Sequence, residues 1–431
     1  MNSRYVVAFL SCLLAFVLAA CSHSGGGGST NMRIVNVIPD APAISVSVGG
    51  NTAVSNLPFQ GLTNYIGVSS GSQEIKVTAN GGASNAIDQT LNLPSSQITY
   101  IVFNPVASAT ALLVVDSNLT APTTGTFGFR VINVAAGIGL VDVYLTPPGT
   151  DLNATSPTVS AASFGGVSAL QNPNPGSLEL RVTPAGTKQV IYDTAPQNFT
   201  AGNFYQAVVY TVGSGQLVNV AMLNIDDTGT GQVNQNLLAN FKVLNGSQVP
   251  SPLNVLVDGN LTLSNLPFGA VSSYVTIPAG NHTFGVQATA TPGADLIDVV
   301  ATLSPATDTS IPLNGASGAL TATVLADNNL PPPVGRAKIR FMNNSPNQGP
   351  LDVYINFSKQ VSGLATNTAS TYIEETADAS LGTPFEFDFN IAGTTTPVLK
   401  LPNTTLIAGH IYTLYVIGVA PALQGLLVKD D

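Results

Sequence analysis

The chain has 431 residues, of which 44% are apolar and only 8% are charged, and its formal net charge at pH 7 is −10. This length exceeds the ~250–300 residues at which one hydrophobic core stops growing, so the sequence indicates several domains. The apolar fraction is too high for a disordered polymer. The 13 lysines and arginines are scattered, which excludes nucleic acid as a partner.

The N-terminus is predicted to be a signal peptide over residues 1–20. Arg4 is followed by an apolar run from Tyr5 to Ala20, which is too short to span a bilayer comfortably. The run ends in Leu-Ala-Ala-Cys21, which resembles the lipobox of bacterial lipoproteins and implies cleavage before Cys21 and lipidation of its thiol. We therefore expect Cys21 to be the lipidation site and the membrane to be a partner through that lipid.

Residues 21–31 contain four consecutive glycines and are predicted to be a flexible tether. Ser22 after the cysteine resembles outer-membrane sorting, so we expect an exported protein anchored to the cell envelope, in the outer membrane. The cysteines of the chain are Cys12 and Cys21. The body therefore has no disulfide framework or thiol nucleophile, and we predict no cofactor.

A short motif recurs four times along the remaining chain. A basic residue is followed by apolar residues and an asparagine at Arg33–Asn36, Arg130–Asn133, Lys242–Asn245 and Arg340–Asn343. Three alternating apolar residues follow at a fixed distance from each basic residue, which is typical of a half-buried strand. They are Ile44, Val46 and Val48; Val141, Val143 and Leu145; Leu253, Val255 and Val257; and Leu351, Val353 and Ile355.

Within each repeat, short β-branched or aromatic runs alternate with Gly, Pro, Asn and Ser every 8–12 residues. The prediction is an all-β chain of four tandem immunoglobulin-like antiparallel β-sandwich modules, with little helix outside the signal peptide. The modules are assigned to residues 32–123, 124–235, 236–333 and 334–431.

These repeats resemble the bacterial family called domain of unknown function 4397 (DUF4397). The resemblance is carried by the turn Pro39-Asp40-Ala41-Pro42, the Val-Asp-Val-Tyr strand at 141–144, the two Asn-Leu-Pro-Phe segments at 56–59 and 265–268, and the turn at 408–412. It covers nearly all of residues 32–431, and repeats one, three and four carry it best. The resemblance implies exported β-sandwich modules and supplies no catalytic residues.

Two patterns are candidates for catalysis. Gly67-Val-Ser-Ser-Gly71 matches the nucleophile elbow of hydrolases, but it falls between two predicted strands, and residues 32–123 contain no histidine. His282 and His410 lie in different modules at turn or strand-start positions and lack the ligand spacing that zinc requires. We predict no catalytic residue and interpret both histidines as surface residues.

Acidic and amide side chains near the module ends give a further hypothesis. Oxygen ligands from two modules would gather a calcium ion that stiffens the joint, although each junction offers fewer oxygens than calcium requires. Asx turns at strand ends are the alternative explanation. The candidates are Asp116, Asn118, Asp226, Asp227, Asp327 and Asn329.

Function is predicted as a non-enzymatic envelope lipoprotein whose modules act in binding or adhesion, at the cell surface or in the periplasm. The expected ligand is a glycan or a neighbouring envelope protein, because the surface is neutral and polar and the repeat allows variable loops. A purely structural spacer is the first alternative. A hydrolase with a site assembled from loops is the second, and the oligomeric state is left open.

Overall fold

The computed structural model describes residues 28–79, 85–213 and 217–431. The predicted signal peptide, Cys21 and most of the tether lie outside the described residues. The described residues form strands without α-helices, apart from two 3-10 turns at Val106–Ser108 and Leu152–Ala154. The all-β prediction is therefore confirmed. No helix in the described part has the length and apolar character needed to cross a bilayer.

Module 1 is a sandwich of two four-stranded sheets. Its strands are β1 (Ser29–Val37), β2 (Ala43–Val48), β3 (Asn51–Pro58), β4 (Ile66–Ser69), β5 (Gly71–Ala79), β6 (Asn85–Leu93), β7 (Gln97–Phe103) and β8 (Thr110–Val115). One sheet has the order β4-β1-β7-β8, and the other has the order β3-β2-β5-β6. The sheet that contains the first strand of a module is called its inner sheet below, and the other is called its outer sheet.

Module 2 keeps this plan with longer connections and additional short strands. Its strands are β9 (Gly128–Asn133), β10 (Val141–Thr146), β11 (Val159–Ala162), β12 (Gly166–Val167), β13 (Gly176–Pro184), β14 (Tyr192–Asp193), β15 (Gln197–Phe199), β16 (Phe204–Thr211), β17 (Val218–Asn224) and β18 (Gly231–Asn234). The inner sheet has the order β12-β9-β16-β17-β18. The outer sheet has the order β11-β10-β13-β14, with β15 also paired to β13.

Module 3 returns to the plan of module 1. Its strands are β19 (Leu238–Asn245), β20 (Leu253–Val257), β21 (Asn260–Leu266), β22 (Val275–Pro278), β23 (Gly280–Ala288), β24 (Asp295–Leu303), β25 (Asp308–Asn314), β26 (Thr321–Ala322) and β27 (Leu325–Asp327). The inner sheet is β22-β19-β25-β26, with β27 also on β25, and the outer sheet is β21-β20-β23-β24.

Module 4 has the same plan as modules 1 and 3. Its strands are β28 (Arg336–Asn343), β29 (Leu351–Ile355), β30 (Ser358–Leu364), β31 (Thr368–Ala369), β32 (Ile373–Thr376), β33 (Thr383–Ile391), β34 (Pro397–Leu406), β35 (Ile411–Ile417) and β36 (Gln424–Lys429). The inner sheet is β31-β28-β35-β36, with β32 also on β28, and the outer sheet is β30-β29-β33-β34.

The first strand of every module pairs in parallel with a later strand of the inner sheet. The other ladders of each module are antiparallel. The parallel pairs are β1 with β7, β9 with β16, β19 with β25, and β28 with β35. A parallel pair needs a long crossover connection, and here the chain crosses through the outer sheet and returns. The alternation seen in the sequence indicated strands but did not reveal this pairing.

Two asparagine side chains, one in module 2 and one in module 3, hold the backbone of neighbouring segments. The buried Asn133 accepts a hydrogen bond from the backbone N–H of Ala135 at 3.0 Å and donates to the carbonyls of Gly139 and Ala162 at 2.9 Å each. Asn254 accepts the N–H of Asn265 at 2.9 Å, where Asn265 adopts a left-handed conformation with φ of 57°. Both side chains replace backbone partners at places where the ladder is interrupted.

The first strand starts earlier than predicted. β1 begins at Ser29, inside the segment 21–31 assigned to the tether and three residues before the predicted start of module 1 at residue 32. The reason is that Ser29, Thr30 and Asn31 pair with Ser69, Val68 and Gly67 of β4. Pairing with an edge strand thus orders polar residues that look like linker in the sequence.

Each sandwich encloses its own apolar core, and a second apolar layer joins the modules in pairs. In β1, Ile34 packs in the core of module 1, while Val35 and Val37 point out of the opposite face. There they meet Ile132 and Val208 of the inner sheet of module 2. Modules 1 and 2 therefore stack as four layers, with the two inner sheets face to face.

Modules 3 and 4 are joined in the same way. Leu244 on β19 clusters with Met342 on β28 and with Tyr415 and Ile417 on β35. Every residue of β19 is buried, which a strand reaches only when both faces of its sheet are covered. The four tandem modules predicted from the sequence are thus arranged as two pairs of sandwiches.

Candidate functional site

The segment that matches a nucleophile elbow is a turn between strands. β4 ends at Ser69 and β5 begins at Gly71. The hydroxyl of Ser70 donates to the carbonyl of Gly28 at 2.7 Å and accepts from Ser95 at 3.0 Å. A nucleophile elbow requires a strand-to-helix turn, so this geometry does not prepare a serine for attack.

Each of the two predicted surface histidines is half-buried and bonded to a local oxygen. Nδ1 of His282 lies 2.7 Å from Asp258, and Nε2 lies 2.8 Å from the carbonyl of Pro278. Nδ1 of His410 lies 2.6 Å from Asp431. Because both ring nitrogens of His282 face oxygens, this ring has no free nitrogen to accept a proton from a nucleophile.

The first group of calcium candidates is already occupied by protein groups. Asp116 is fully buried between two guanidinium groups, with Nη2 of Arg130 at 2.6 Å and Nη2 of Arg33 at 3.3 Å. Thr99 and Tyr65 also donate to its Oδ2, at 2.5 and 2.7 Å. The arginines stand where a calcium ion would bind this carboxylate.

Asp226 builds a turn, which is the alternative weighed for these residues. Its Oδ1 accepts from the backbone N–H groups of Thr228 and Gly229, at 2.9 and 2.7 Å, and from the Thr228 hydroxyl at 2.7 Å. The adjacent Asp227 is exposed, and Asn118 adopts a left-handed conformation after β8. Among the described residues, Asp226 and Asp227 do not gather with Asp116 as a set of three metal-ligating side chains.

The last two candidates lie in the junction of modules 3 and 4. Asp327 accepts from Arg340, from Tyr274 at 2.5 Å and from Ser310 at 2.7 Å. Asn329 turns its amide nitrogen, not its oxygen, toward Asp308 at 2.7 Å. Across residues 28–79, 85–213 and 217–431, no three His, Cys, Asp or Glu side chains gather as a metal site. Binding of calcium at the junctions remains a prediction.

The basic residues of the repeat cross from one module of a pair to the other. In module 1, Nη1 of Arg33 donates to three carbonyls of module 2: Asn224 at 2.7 Å, Gly229 at 3.1 Å and Thr230 at 3.3 Å. In return, Arg130 of module 2 reaches Asp116 of module 1. Burial lowers the pKa of both guanidinium groups, and Asp116 acts against that shift.

Modules 3 and 4 are also connected by charged side chains that cross between them, here through two ion pairs. Arg340 of module 4 binds Asp327 of module 3, and Lys242 of module 3 binds Asp430 of module 4 at 2.5 Å. The register of β16 with β17 places Ile225 where the other modules have this aspartate. Arg33 therefore has no carboxylate from module 2 and takes backbone carbonyls instead.

An open cleft of about 490 Å³ lies on module 2, beside the turn that Arg33 holds. Phe199 and Met222, which belong to the core of the module, are part of its lining. Amide side chains surround them, and the ring of Tyr205 lies among these groups. The amides are Gln197, Asn198, Asn224 and Gln232.

Module 1 positions one wall of this cleft, which is the turn between β17 and β18. Besides the bonds from Arg33, the backbone N–H of Tyr65 donates to the carbonyl of Thr228 at 3.2 Å. The Tyr65 ring packs so closely on Gly229 that a Cβ at this glycine would lie 2.4 Å from it. Nothing in the sequence indicated this cleft, because its residues come from four strands and a connection without a shared motif.

Comparisons with known proteins identify the repeat and give only distant structural likenesses. The family model described as "Domain of unknown function (DUF4397)" matches residues 30–144, 239–354 and 338–431. No curated protein sequence matches the chain. The residues that line the cleft, from Gln197 to Gln232, lie within residues 145–238, which the family model leaves unmatched.

Two solved structures are similar over most of the chain. "The Bacillus anthracis TIE protein" shares 10% identity, with 88% of this chain and 69% of that one covered and a TM-score of 0.14. "Product complex of a multi-modular glycogen-degrading pneumococcal virulence factor SpuA" shares 8% identity, with 87% and 38% covered and a TM-score of 0.18. This chain thus spans little more than a third of the second protein. At these scores neither protein informs its function.

Proposed function

This chain belongs to the DUF4397 family, and from that premise we propose that it is a non-enzymatic lipoprotein of the bacterial cell envelope. Its modules act in binding, and the cleft of module 2 is the ligand site. The lipid on Cys21 holds the chain at the membrane, in the outer membrane by the proposed sorting signal. The ligand is a glycan at the cell surface or in the periplasm.

The composition of the cleft carries this proposal. Amide groups both donate and accept hydrogen bonds, as sugar hydroxyls do, and Tyr205 and Phe199 add apolar surface among them. A volume of about 490 Å³ lies within the ~300–1,000 Å³ range of small-molecule sites. A neutral cleft of this kind suits a neutral saccharide better than a charged ligand.

The stacking of the inner sheets limits the surfaces at which a partner can bind. They are covered by each other, so the outer sheets and the loops are the surfaces that remain for a partner. On the outer sheet of module 1, the exposed residues Ser72, Thr90 and Asn92 are small and polar. The cleft is concave, and its wall is fixed by module 1, which lowers the ordering cost of binding.

Replacing the exposed amides of the cleft is expected to weaken glycan binding. The double variant Asn198→Ala/Gln232→Ala removes hydrogen-bonding groups without touching the core, and we expect at least a ~10-fold loss of affinity, since 1.4 kcal/mol corresponds to a factor of ten. The measurement is titration with the saccharides that the purified wild-type chain selects on a glycan array. Asn92→Ala, an exposed amide on module 1, is the matched control and should leave binding unchanged.

The outcome of that experiment separates the alternatives. Equal loss in the control and the cleft variant, or no loss in either, would remove the cleft as the ligand site. Absence of any selected glycan would favour the structural spacer. The spacer is supported by the linker between modules 2 and 3, where the buried Asn236 donates to the carbonyls of Ile191 and Val218 at 2.8 and 3.0 Å. Turnover of a bound glycan would instead favour the hydrolase.

The anchor is tested separately by replacing the lipidated thiol. Cys21→Ser is expected to move the protein from the membrane fraction to the soluble fraction of lysed cells, because several acyl chains supply the stable attachment. Cys12→Ser, inside the signal peptide, serves as the control and should leave the protein in the membrane. A Cys21→Ser protein that still sediments with membranes would contradict lipid anchoring.

A further inference from the structure

Lys242 and Asp430 are in contact inside the junction of modules 3 and 4. Lys242 lies on the face of β19 that points away from its own core, and its side chain is 4% exposed. Its Nζ is 2.5 Å from Oδ1 of Asp430, which follows β36 and whose side chain is fully buried. The contact therefore joins residues 188 positions apart, in two different modules.

The surroundings shield these two groups from water, and the other charged groups nearby have partners of their own. Nζ of Lys242 lies 4.5 Å from the ring centre of Tyr274. The Thr413 hydroxyl donates to Oδ2 of Asp430 at 2.6 Å. The nearby charges are satisfied elsewhere, since Arg340 binds Asp327 and Asp308 accepts from Asn240 and Asn329.

Burial disfavours the ionised form of the Asp430 carboxyl group. Removing an ammonium or a carboxylate from water carries a large desolvation penalty for each ion. Burial accordingly raises the pKa of Asp430, with Lys242 acting against that shift. Transfer of the ammonium proton to the carboxylate leaves a neutral amine against a neutral carboxylic acid, which is the reactive combination for amide formation.

We propose that Lys242 and Asp430 condense into an amide bond that covalently joins modules 3 and 4. The lone pair of Nζ attacks Cγ of the protonated carboxyl group, and the C–N bond forms. The bond from Cγ to Oδ1 then breaks, and this hydroxyl leaves with a proton from Nζ as one molecule of water. The balance requires no oxidant and no cofactor.

The arrangement favours this reaction in two ways. Thr413 donates to Oδ2, the oxygen that carries negative charge during the attack and remains as the amide carbonyl. The fold also holds amine and carboxyl in contact, and effective molarities of ~10⁵–10⁸ M are reached when two groups are well oriented in one molecule. The product buries a neutral amide in place of two charges.

The other repeats show why the reaction is confined to this position. Arg33, Arg130 and Arg340 occupy the place that Lys242 holds in module 3. A guanidinium stays protonated in proteins and does not act as a nucleophile under these conditions. Lys242→Arg therefore preserves the charge found in the sister modules while removing the reactive amine.

The experiment is a proteolytic map of the full chain purified from membranes. The protein is unfolded and digested with a protease that cleaves after lysine, and the fragments are weighed by mass spectrometry. We expect no cleavage after Lys242, and a branched fragment that contains Lys242 and Asp430 and is lighter than its two parts by one water. In Lys242→Arg, the fragment with Asp430 should be recovered unbranched.

The wild-type digest decides the question even if a variant fails to fold. Complete cleavage after Lys242, together with an unbranched fragment containing Asp430, would show that the contact is only an ion pair and would overturn the proposal. Thr413→Val tests the hydroxyl, and a lower fraction of branched fragment is expected. Glycan binding at module 2 does not enter this readout.

Discussion

Replacing Asp116 with alanine is expected to lower the free energy of unfolding of the first module pair by about 3–5 kcal/mol, because it leaves a buried guanidinium without its counter-charge. Asp116 is fully buried and is the carboxylate that contacts both Arg33 and Arg130. Its loss also frees the hydroxyls of Thr99 and Tyr65. The measurement is urea unfolding of the purified chain, followed by tyrosine fluorescence.

The matched control is an acidic residue in an exposed pair. Oδ2 of Asp88 lies 3.8 Å from Nζ of Lys76 on the outer sheet of module 1, and the Asp88 side chain is half exposed. We expect little change in Asp88→Ala, since solvent screens such pairs and both side chains regain freedom when the contact is lost. Equal unfolding midpoints for Asp116→Ala and wild type would mean that the buried cluster does not hold the pair together.

Replacing Asn133 with leucine is expected to cost ~3 kcal/mol or more, because a buried polar group left without a partner costs about 1–3 kcal/mol. The substitution keeps the size of the side chain but leaves two carbonyls and one N–H unpaired, those of Gly139, Ala162 and Ala135. The readout is the urea midpoint of the full chain and the loss of protected amides in module 2 by hydrogen exchange.

Two further variants serve as controls for Asn133→Leu. Asn92→Leu, on an exposed strand position of module 1, should change the midpoint little. Asn133→His should cost less than Asn133→Leu, because a neutral imidazole keeps one donor and one acceptor. If leucine and histidine were equally destabilising, the donor and acceptor of the imidazole would bring no gain, and lost hydrogen bonds would not explain the effect.

The sequence predicted the individual module well because the relevant signals are local. Alternation at Val141, Val143 and Leu145 placed β10, and the strand between Leu351 and Ile355 followed the same rule. The turn after Ser69 was also predicted from neighbouring residues alone. In each case the side-chain period of two decides which residues face the core.

The pairing of modules was not predicted, because it depends on residues that are far apart in the sequence. A signal was nevertheless present, since the motif around Ile34 and Val35 is apolar on consecutive positions, which is typical of a strand covered on both faces. The sequence locates the aspartates at the module ends, and calcium binding and Asx turns were the two explanations considered for them. Their partners, Arg130 and Arg340, were recognised in the motif without any indication that they cross to a neighbour.

The face-to-face stacking of inner sheets has a consequence for how such chains evolve. A duplication or deletion of one repeat would leave an odd sandwich whose apolar inner face, with residues such as Val208 and Tyr210, would contact water. Such a protein would aggregate or recruit a second molecule. Gain or loss of two modules at once avoids that exposure. We therefore expect modules of this architecture to be duplicated or deleted in pairs.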